Sequence, residues 1–404
     1  MKIHNGSLYW PTTIAQFENR TNFDKLDLYD VVIVGGGMSG ALTALAIVEA
    51  GLTVAIVDKR QFGTGSTSAN TGLLQYSNDI MLHELIDQIG EQDAVQFYKL
   101  CYKAVDDLEK IVTRLHLDAD FIRRPSICYA SDENDVEKIN VEYATLKKHG
   151  FPCDYYGPKE MTEKLPFTKL GALITSEDAE INPLKFVLGL LQKVEEKGGH
   201  LFPFVEVEDV FEADNFLDIR TSEHSFLAKK IIFTTGYETV PVGKRIGAVI
   251  NRSYVFVSNP VENFHDWYKQ ALIWETKRPY LYIRSTVDNR LIVGGLDEEE
   301  SEAPYSQDII QQHAEKLLKQ AQELFPNYKI DIEYAYAATF GESIDNLPFI
   351  GEHPTKPNHY YLLGYGGNGT VYSMLGSQIL RDLVMGKRNE DAEIVQLDRK
   401  YGVK

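Results

Sequence analysis

The 404-residue sequence predicts an α/β fold, α+β overall, and three stretches carry that expectation. Residues 31–34 form a β-branched apolar run that passes directly into a glycine-rich turn and then a string of helix formers. Residues 360–385 repeat the arrangement of strand, glycine turn and helix. Between them, amphipathic helices followed by alternating, antiparallel-looking strands read as a second domain made from insertions.

In the first unit, Gly35-x-Gly37-x-x-Gly40 follows the strand and opens a helix that runs over residues 41–50 until Gly51 stops it. Residues 53–57 then form a second buried strand ending in Asp58. The result is a β-α-β unit of the Rossmann type. Gly35 permits the tight turn, Gly37 lets the backbone approach a pyrophosphate, and Gly40 lets helix and strand pack closely, while the helix start turns free N–H groups to the phosphates. Asp58 stands at the spacing of the acid that hydrogen-bonds a ribose hydroxyl pair.

Residues 1–29 read as an arm whose Tyr9-Trp10-Pro11 packs on the body. Residues 59–72 are too polar and glycine-rich for a core element and suit a loop that wraps a ligand with hydroxyls and N–H groups. Residues 80–117 keep helical spacing through Leu82, Leu85, Ile89, Leu100, Val105 and Leu108, and residues 132–149 read as another helix. Asn182-Pro183 starts a helix with a stripe from Phe186 to Val194, which Gly198-Gly199 ends. A hairpin turning at Asp214-Asn215 follows, then a buried strand over residues 231–236 whose end, Thr235-Gly236, should deliver backbone to the ligand again. Strands are expected at 251–257, 279–284, 290–294 and 334–338, and a helix at 307–324.

In the last unit four glycines fall in the six positions 364–369, at the start of a helix over residues 370–385. A structural turn needs only one or two. A cup of N–H groups at a helix N-terminus stabilises anionic charge, so a ligand contact is expected there.

An apolar content of 44% is that of a globular protein, and a net charge of −18 argues against a nucleic acid partner, which needs clustered Lys and Arg. No segment has the length of an uninterrupted apolar membrane span, and the N-terminus lacks the apolar core of a signal peptide, so a cytoplasmic location is expected. Cys101, Cys128 and Cys153 lack metal-ligand spacing and read as reduced structural thiols; no metal is expected. The densest acidic run, residues 297–300 with Glu302, reads as a solvated loop.

These residues together resemble the D-amino-acid oxidase, glycine oxidase and sarcosine oxidase superfamily of FAD-dependent oxidoreductases. The resemblance covers almost the whole chain, through residues 30–40, Val57-Asp58, residues 65–72, Asn182-Pro183, Thr235-Gly236, residues 345–351 and residues 364–370. Leu8-Tyr9-Trp10 and the closing glycine cup look nearest to the γ-glutamylputrescine oxidase branch. The resemblance implies an extended FAD under a mixed sheet from the substrate domain. It sets Gly35, Gly37, Met38, Ser39 and Gly40 against the pyrophosphate, Asp58 with Lys59 at the adenosine end, and Ser66, Thr67 and Ser68 along the phosphates. Thr71, Gly72 and Leu73 would approach the flavin, Val205 the adenine, Thr235 and Gly236 the ligand again, and Gly366, Gly367, Asn368, Gly369 and Thr370 the C2 carbonyl and N1 of the ring. No cysteine follows Cys153, so the FAD should be non-covalent. The domains expected are residues 1–83, 172–246 and 336–404 for FAD, and 84–171 and 247–335 for substrate.

Phe340 stands near the place where glycine oxidase-like members carry an arginine for the substrate carboxylate, which counts against a simple amino acid. Alternation puts Tyr280, Tyr282 and Arg284 on one strand face, with Arg284 the candidate carboxylate clamp, and Arg252, Tyr254 and Phe256 on another. Tyr365 sits inside the cup. The expected activity is oxidation of a C–N bond in a small-molecule amine or N-substituted amino acid, with hydride passing to flavin N5, an imine then hydrolysed, and oxygen or another acceptor as reoxidant. A 2-hydroxy-acid dehydrogenase of the same fold, an NAD-linked dehydrogenase and a non-catalytic electron-transfer subunit are the alternatives.

Overall fold

Val31, Val32 and Ile33 are wholly buried, which requires a strand covered on both faces. In the computed structural model, which describes residues 2–15, 25–238, 248–304 and 306–399, they lie in the strand Tyr29–Val34 inside an eight-stranded sheet. Its neighbours Ser225–Phe233 and Val54–Asp58 run parallel to it, followed outward by Lys356–Leu363 on one side and His200–Pro203 on the other. One face carries the helices Met38–Glu49, Pro183–Glu196 and Gly369–Val384. On the other face Val32, Val57, Phe226 and Ile231 pack with Leu217 and Ile219 of the expected hairpin, formed by Val207–Glu212 and Leu217–Thr221.

The second sheet has ten strands and is mixed but largely antiparallel. Its order is His4–Gly6, Ile332–Ser343, Ala248–Ser258, Leu291–Glu298, Tyr282–Ser285, Leu272–Glu275, Ile122–Tyr129, Ala172–Glu180 and Leu73–Leu74, with Cys153–Tyr156 also paired to Ala172–Glu180. Leu272–Glu275 and Ile122–Tyr129 form its parallel pair. The helix Gln307–Leu324 covers the outer face, where Ile310 and Leu317 pack with Tyr254, Phe256, Ile283 and Val293. The inner face turns towards the first sheet.

Local chemistry accounts for the helix boundaries. The expected long helix is two, Leu82–Ile89 and Glu91–Leu115, because Gly90 takes φ +92° between them. The Asp132 carboxylate accepts the N–H groups of Asn134 and Asp135 at the start of Glu133–Lys148. The Asn182 amide oxygen accepts the Lys185 N–H, with Pro183 in the first turn.

The strand pairing bears on two expectations. The N-terminal arm contributes an edge strand, with His4 opposite Ala338. The strands His4–Gly6, Leu73–Leu74, Ala172–Glu180 and most of Ile332–Ser343 belong to the ten-stranded sheet, although the expected division assigned residues 1–83, 172–246 and 336–404 to the nucleotide half. Strand pairing across hundreds of residues decides this, and no local pattern records it. The boundary expected at 246–247 lies outside the described residues.

Candidate functional site

The first glycine turn is built as a cradle. Gly35 takes φ +108°, and a Cβ on Gly40 would lie 1.8 Å from the Gly35 carbonyl oxygen, so helix and turn meet backbone to backbone. A Cβ on Gly36 would strike the Phe62 ring at 2.0 Å. Asp58 receives the Gly36 N–H at 2.7 Å on Oδ2 and the Arg60 N–H at 2.8 Å on Oδ1. Burial nevertheless pushes its carboxyl above the ordinary range.

A cavity opens over this turn, lined by Gly35, Gly37, Met38, Ser39, Asp58, Lys59, Ser66, Thr67, Val205, Thr235, Gly236, Tyr365, Gly369 and Thr370. A second cavity is lined by Ser66, Thr71, Leu73, Tyr282, Phe340, Gly366, Gly367, Asn368 and Gly369. The two share Ser66, Asn70, Tyr237 and Gly369, so they are halves of one channel running from the first glycine turn to the last. A hydrogen bond of 2.7 Å between Ser39 and Ser373 ties the two helices that begin at those turns. The channel carries unused polar atoms: Thr235 Oγ1 at the first end, and Gln75 Nε2 and Ser77 Oγ at the second, are buried without a partner. An extended dinucleotide fits this shape and this donor set.

At the far end the cup is partly filled by the protein itself. The Gly367 N–H donates to Asp79 Oδ2 at 3.1 Å, and a Cβ there would lie 2.5 Å from the same oxygen. Asn368 donates its amide to the Gln75 carbonyl at 2.8 Å and to Asn78 Oδ1 at 2.9 Å, and the Tyr372 hydroxyl donates to the same Asn78 oxygen at 2.9 Å. Residues 75–79 are therefore bolted to the glycine cup and form one wall of the second cavity. The opposite wall is aromatic, with Trp274, Tyr280, Tyr282, Tyr237 and Phe340. Burial pushes the Tyr280 and Tyr282 phenols up, reinforced by Asp79 and Asp297. Among the described residues no histidine lines either half of the channel.

Among the expected site residues, three of the nucleotide set stand behind the channel lining. Gly40 serves helix packing, the Ser68 hydroxyl donates to the Gly65 carbonyl, and Gly72 packs on the Ile181 carbonyl. Arg284 is corrected. It shares a face with Tyr282, as alternation required, but lies beyond the cavity, 1% exposed, beneath the 71–72 loop. Its Nη1 donates to the carbonyls of Thr71, Gly72 and Ile181 at 3.1, 3.0 and 2.8 Å, and its Nε to that of Ser285 at 2.7 Å. Glu180, fully buried, lies 3.6 Å from it. Nε and Nη1 are thus turned to backbone carbonyls, and the residue does not line the cavity where a substrate carboxylate would lie.

Tyr254 is corrected as well. It faces outward, stacked on His313 with ring centroids 3.8 Å apart, its hydroxyl donating to Glu298 at 2.7 Å. Ser253 and Val255, one step along, face the cavity instead. Tyr365 lines the first half, its hydroxyl donating to the Leu362 carbonyl.

The acidic run is corrected in part, since Glu299 and Glu300 are exposed but Asp297 lines the second cavity. Asp79, Ser77 and Trp274 had no sequence signal, because they come from a loop and a strand that meet only in the folded molecule, and Asp297 had only that of the acidic run. Asn70 and Tyr237 were within reach, standing beside the expected Thr71 and Gly236. The three cysteines are buried and free, outside both linings. Among the described residues no group of three or more His, Cys, Asp or Glu could hold a metal ion, and no helix is long and apolar enough to cross a membrane.

Residues 30–383 match the model of a family described as "DAO: FAD dependent oxidoreductase". The chain is 25% identical over 421 residues to a γ-glutamylputrescine oxidoreductase of Escherichia coli, covering 96% of this chain and 90% of that one. It is 23% identical over 373 residues to a glycine oxidase of Geobacillus kaustophilus, covering 89% and 93%. The crystal structure of glycine oxidase from Geobacillus kaustophilus superposes with a TM-score of 0.80 at 20% identity, covering 93% of this chain and all of that one.

Proposed function

The chain belongs to the DAO family of FAD-dependent oxidoreductases, and from that premise we propose that it oxidises the C–N bond of an amine or N-substituted amino acid. FAD held in this channel would supply the sink for the hydride that leaves the carbon beside the nitrogen, and the resulting imine would be hydrolysed by water. One observation carries the reading: the far half of the channel has a glycine cup at a helix start on one side and an aromatic wall on the other.

The residues divide the work. Backbone at Gly35, Gly37 and Met38, with Ser66 and Thr67, would hold the pyrophosphate, and Asp58 the ribose. Thr71, Leu73 and residues 366–370 would seat the ring, non-covalently, since the three thiols lie elsewhere. Tyr237, Tyr280, Tyr282, Trp274 and Phe340 would pack the substrate carbon against the ring and exclude water, so that orientation supplies much of the rate. The absence of histidine among the described residues of the lining favours amine over 2-hydroxy acid oxidation, which needs a base for the hydroxyl proton. Names of relatives, glycine oxidases and a γ-glutamylputrescine oxidoreductase, point to the same substrate class. The reading includes a nucleotide part on the eight-stranded sheet, a substrate part on the ten-stranded one, a cytoplasmic location, and oxygen or another small acceptor as reoxidant.

The test is anaerobic mixing of the purified yellow protein with a panel of amines, amino acids and 2-hydroxy acids, read by visible absorption. Bleaching by an amine or N-substituted amino acid is the expected result. A flavin that stays oxidised throughout, or is bleached only by a hydroxy acid, overturns the reading.

A further inference from the structure

Asp297 stands near the end of the strand Leu291–Glu298, whose first five residues are buried. It lines the second cavity beside Tyr282 and Ser253, and its Oδ1 is buried with no hydrogen-bond partner. Ser77 Oγ, on a side chain only 7% exposed, is equally without a partner on the same cavity. A buried carboxylate oxygen and a buried hydroxyl left unpaired beside open space are acceptors waiting for a donor.

The surrounding charge says what kind of donor. Asp79 lines the same cavity, and Glu342 lies close enough to interact electrostatically with both aspartates. Among the described residues one guanidinium stands against these three carboxyls, that of Arg278, whose Nη2 donates to the Asp79 backbone carbonyl at 3.0 Å and comes within 3.8 Å of its carboxylate. That guanidinium lies over the Tyr280 ring at 4.5 Å. Asp79 is further satisfied by the Gly367 N–H, so Asp297 is the carboxylate with an oxygen to spare. With Arg284 tied to backbone carbonyls, Arg278 is the one guanidinium among these charges, and the Asp79 carboxylate already engages it. Trp274, Tyr280 and Tyr282 add π-faces, which attract cations.

We propose that the substrate carries a second, non-reacting ammonium group, held by Asp297 against the aromatic wall, so that the enzyme selects diammonium compounds over monoamines and over amino acids with a free carboxylate. This rests on the amine-oxidising reading for the reacting end, and adds the identity of the far end. Its separate support is the excess of half-buried carboxyls and the unpaired acceptors.

The experiment uses the flavin-loaded protein and three probes of equal chain length: 1,5-diaminopentane, n-hexylamine and 6-aminohexanoate. Dissociation constants are read from perturbation of the flavin absorption, and reduction from anaerobic bleaching. The diamine should bind at least about tenfold tighter than either other probe, the value of one charge-assisted hydrogen bond. Asp297→Asn should erase most of that ratio with flavin content unchanged. Asp297→Glu, which retains the charge, should keep part of it. Equal affinity for all three probes, preference for the amino acid, no perturbation by millimolar diamine, or a preference untouched by D297N each overturns the proposal. Diamine-selective perturbation with no bleaching by the diamine or by any amine of the panel would leave the ammonium site standing and remove the amine-oxidising reading, so the two fail separately.

Discussion

Arg284 shows how far a single residue's role is set by what covers it. Strand alternation correctly put it on the face of Tyr282, but alternation fixes only a face, and the 71–72 loop lies over the Arg284 end of that face. Its guanidinium gathers the carbonyls of Thr71, Gly72 and Ile181, which turns it into the support of the loop expected to meet the flavin. Burial lowers its pKa, with Glu180 opposing. Arg284→Ala would strand those carbonyls and leave Glu180 to Arg124 alone, at 3.0 Å, a loss of the kind that costs about 3–5 kcal/mol. Urea unfolding should show that loss, and the flavin-to-protein ratio should fall. A variant of ordinary stability and flavin content with a raised KM for acidic substrates alone would restore Arg284 to the substrate pocket.

At the scale of elements, legibility followed locality. Both strand–glycine turn–helix units could be read because every residue that makes them lies within about one turn or strand of its neighbours. The strand Leu272–Glu275 has no local signature: it pairs antiparallel with the nearby Tyr282–Ser285, but its other neighbour, Ile122–Tyr129, lies far away in the chain and runs parallel to it. Asp79 and Asp297 meet through the same distant pairing. The arm had composition but no pattern, yet its placement is consequential. The His4 ring is 2.9 Å from the Thr64 carbonyl, and Trp10 Nε1 donates to the Asn70 carbonyl at 2.6 Å, so the arm holds both ends of the 64–70 segment that lines the channel. Trp10 also lies 5.5 Å under the Arg284 guanidinium. Trp10→Ala should therefore loosen the loop, raising the FAD dissociation constant by about tenfold or more for one lost hydrogen bond plus packing, measured by flavin fluorescence on dilution. Unchanged FAD affinity would mean that the arm only closes the edge of the strand Ile332–Ser343.

Across the whole molecule the charge pattern is asymmetric in a way that suits this division of ligands. The chain carries a net charge of −18, and the two cations nearest the first glycine turn, Lys59 and Arg60, are paired with Glu238 at 3.3 and 2.7 Å. An anionic dinucleotide must then be held by backbone dipoles, while a cationic substrate is drawn by the overall field towards a cavity with more carboxyls than guanidinium. Burial raises the Asp297 carboxyl to about 6 and the Glu342 carboxyl to about 7, each helped by Asp79 and opposed by Arg278, with Ser253 also lowering Asp297 and Asn251 lowering Glu342. Both groups favour the unliganded fold while protonated, and that contribution is lost as pH rises through about 6 to 7. A diammonium probe, charged throughout this range with amine values near about 10, binds the ionised form. Its dissociation constant should fall as pH rises from about 5 to 8, and the thermal stabilisation it confers should grow over the same interval. The field adds a second signature. With a Debye length of about 10 Å at 0.1 M salt, the second-order rate of flavin reduction by the diamine should drop several-fold between low and high ionic strength, while that for a monoamine of similar size with an uncharged amide at its far end should drop less. A diamine rate indifferent to salt, together with a pH-independent dissociation constant, would mean that the carboxyls of this cavity do not meet the substrate.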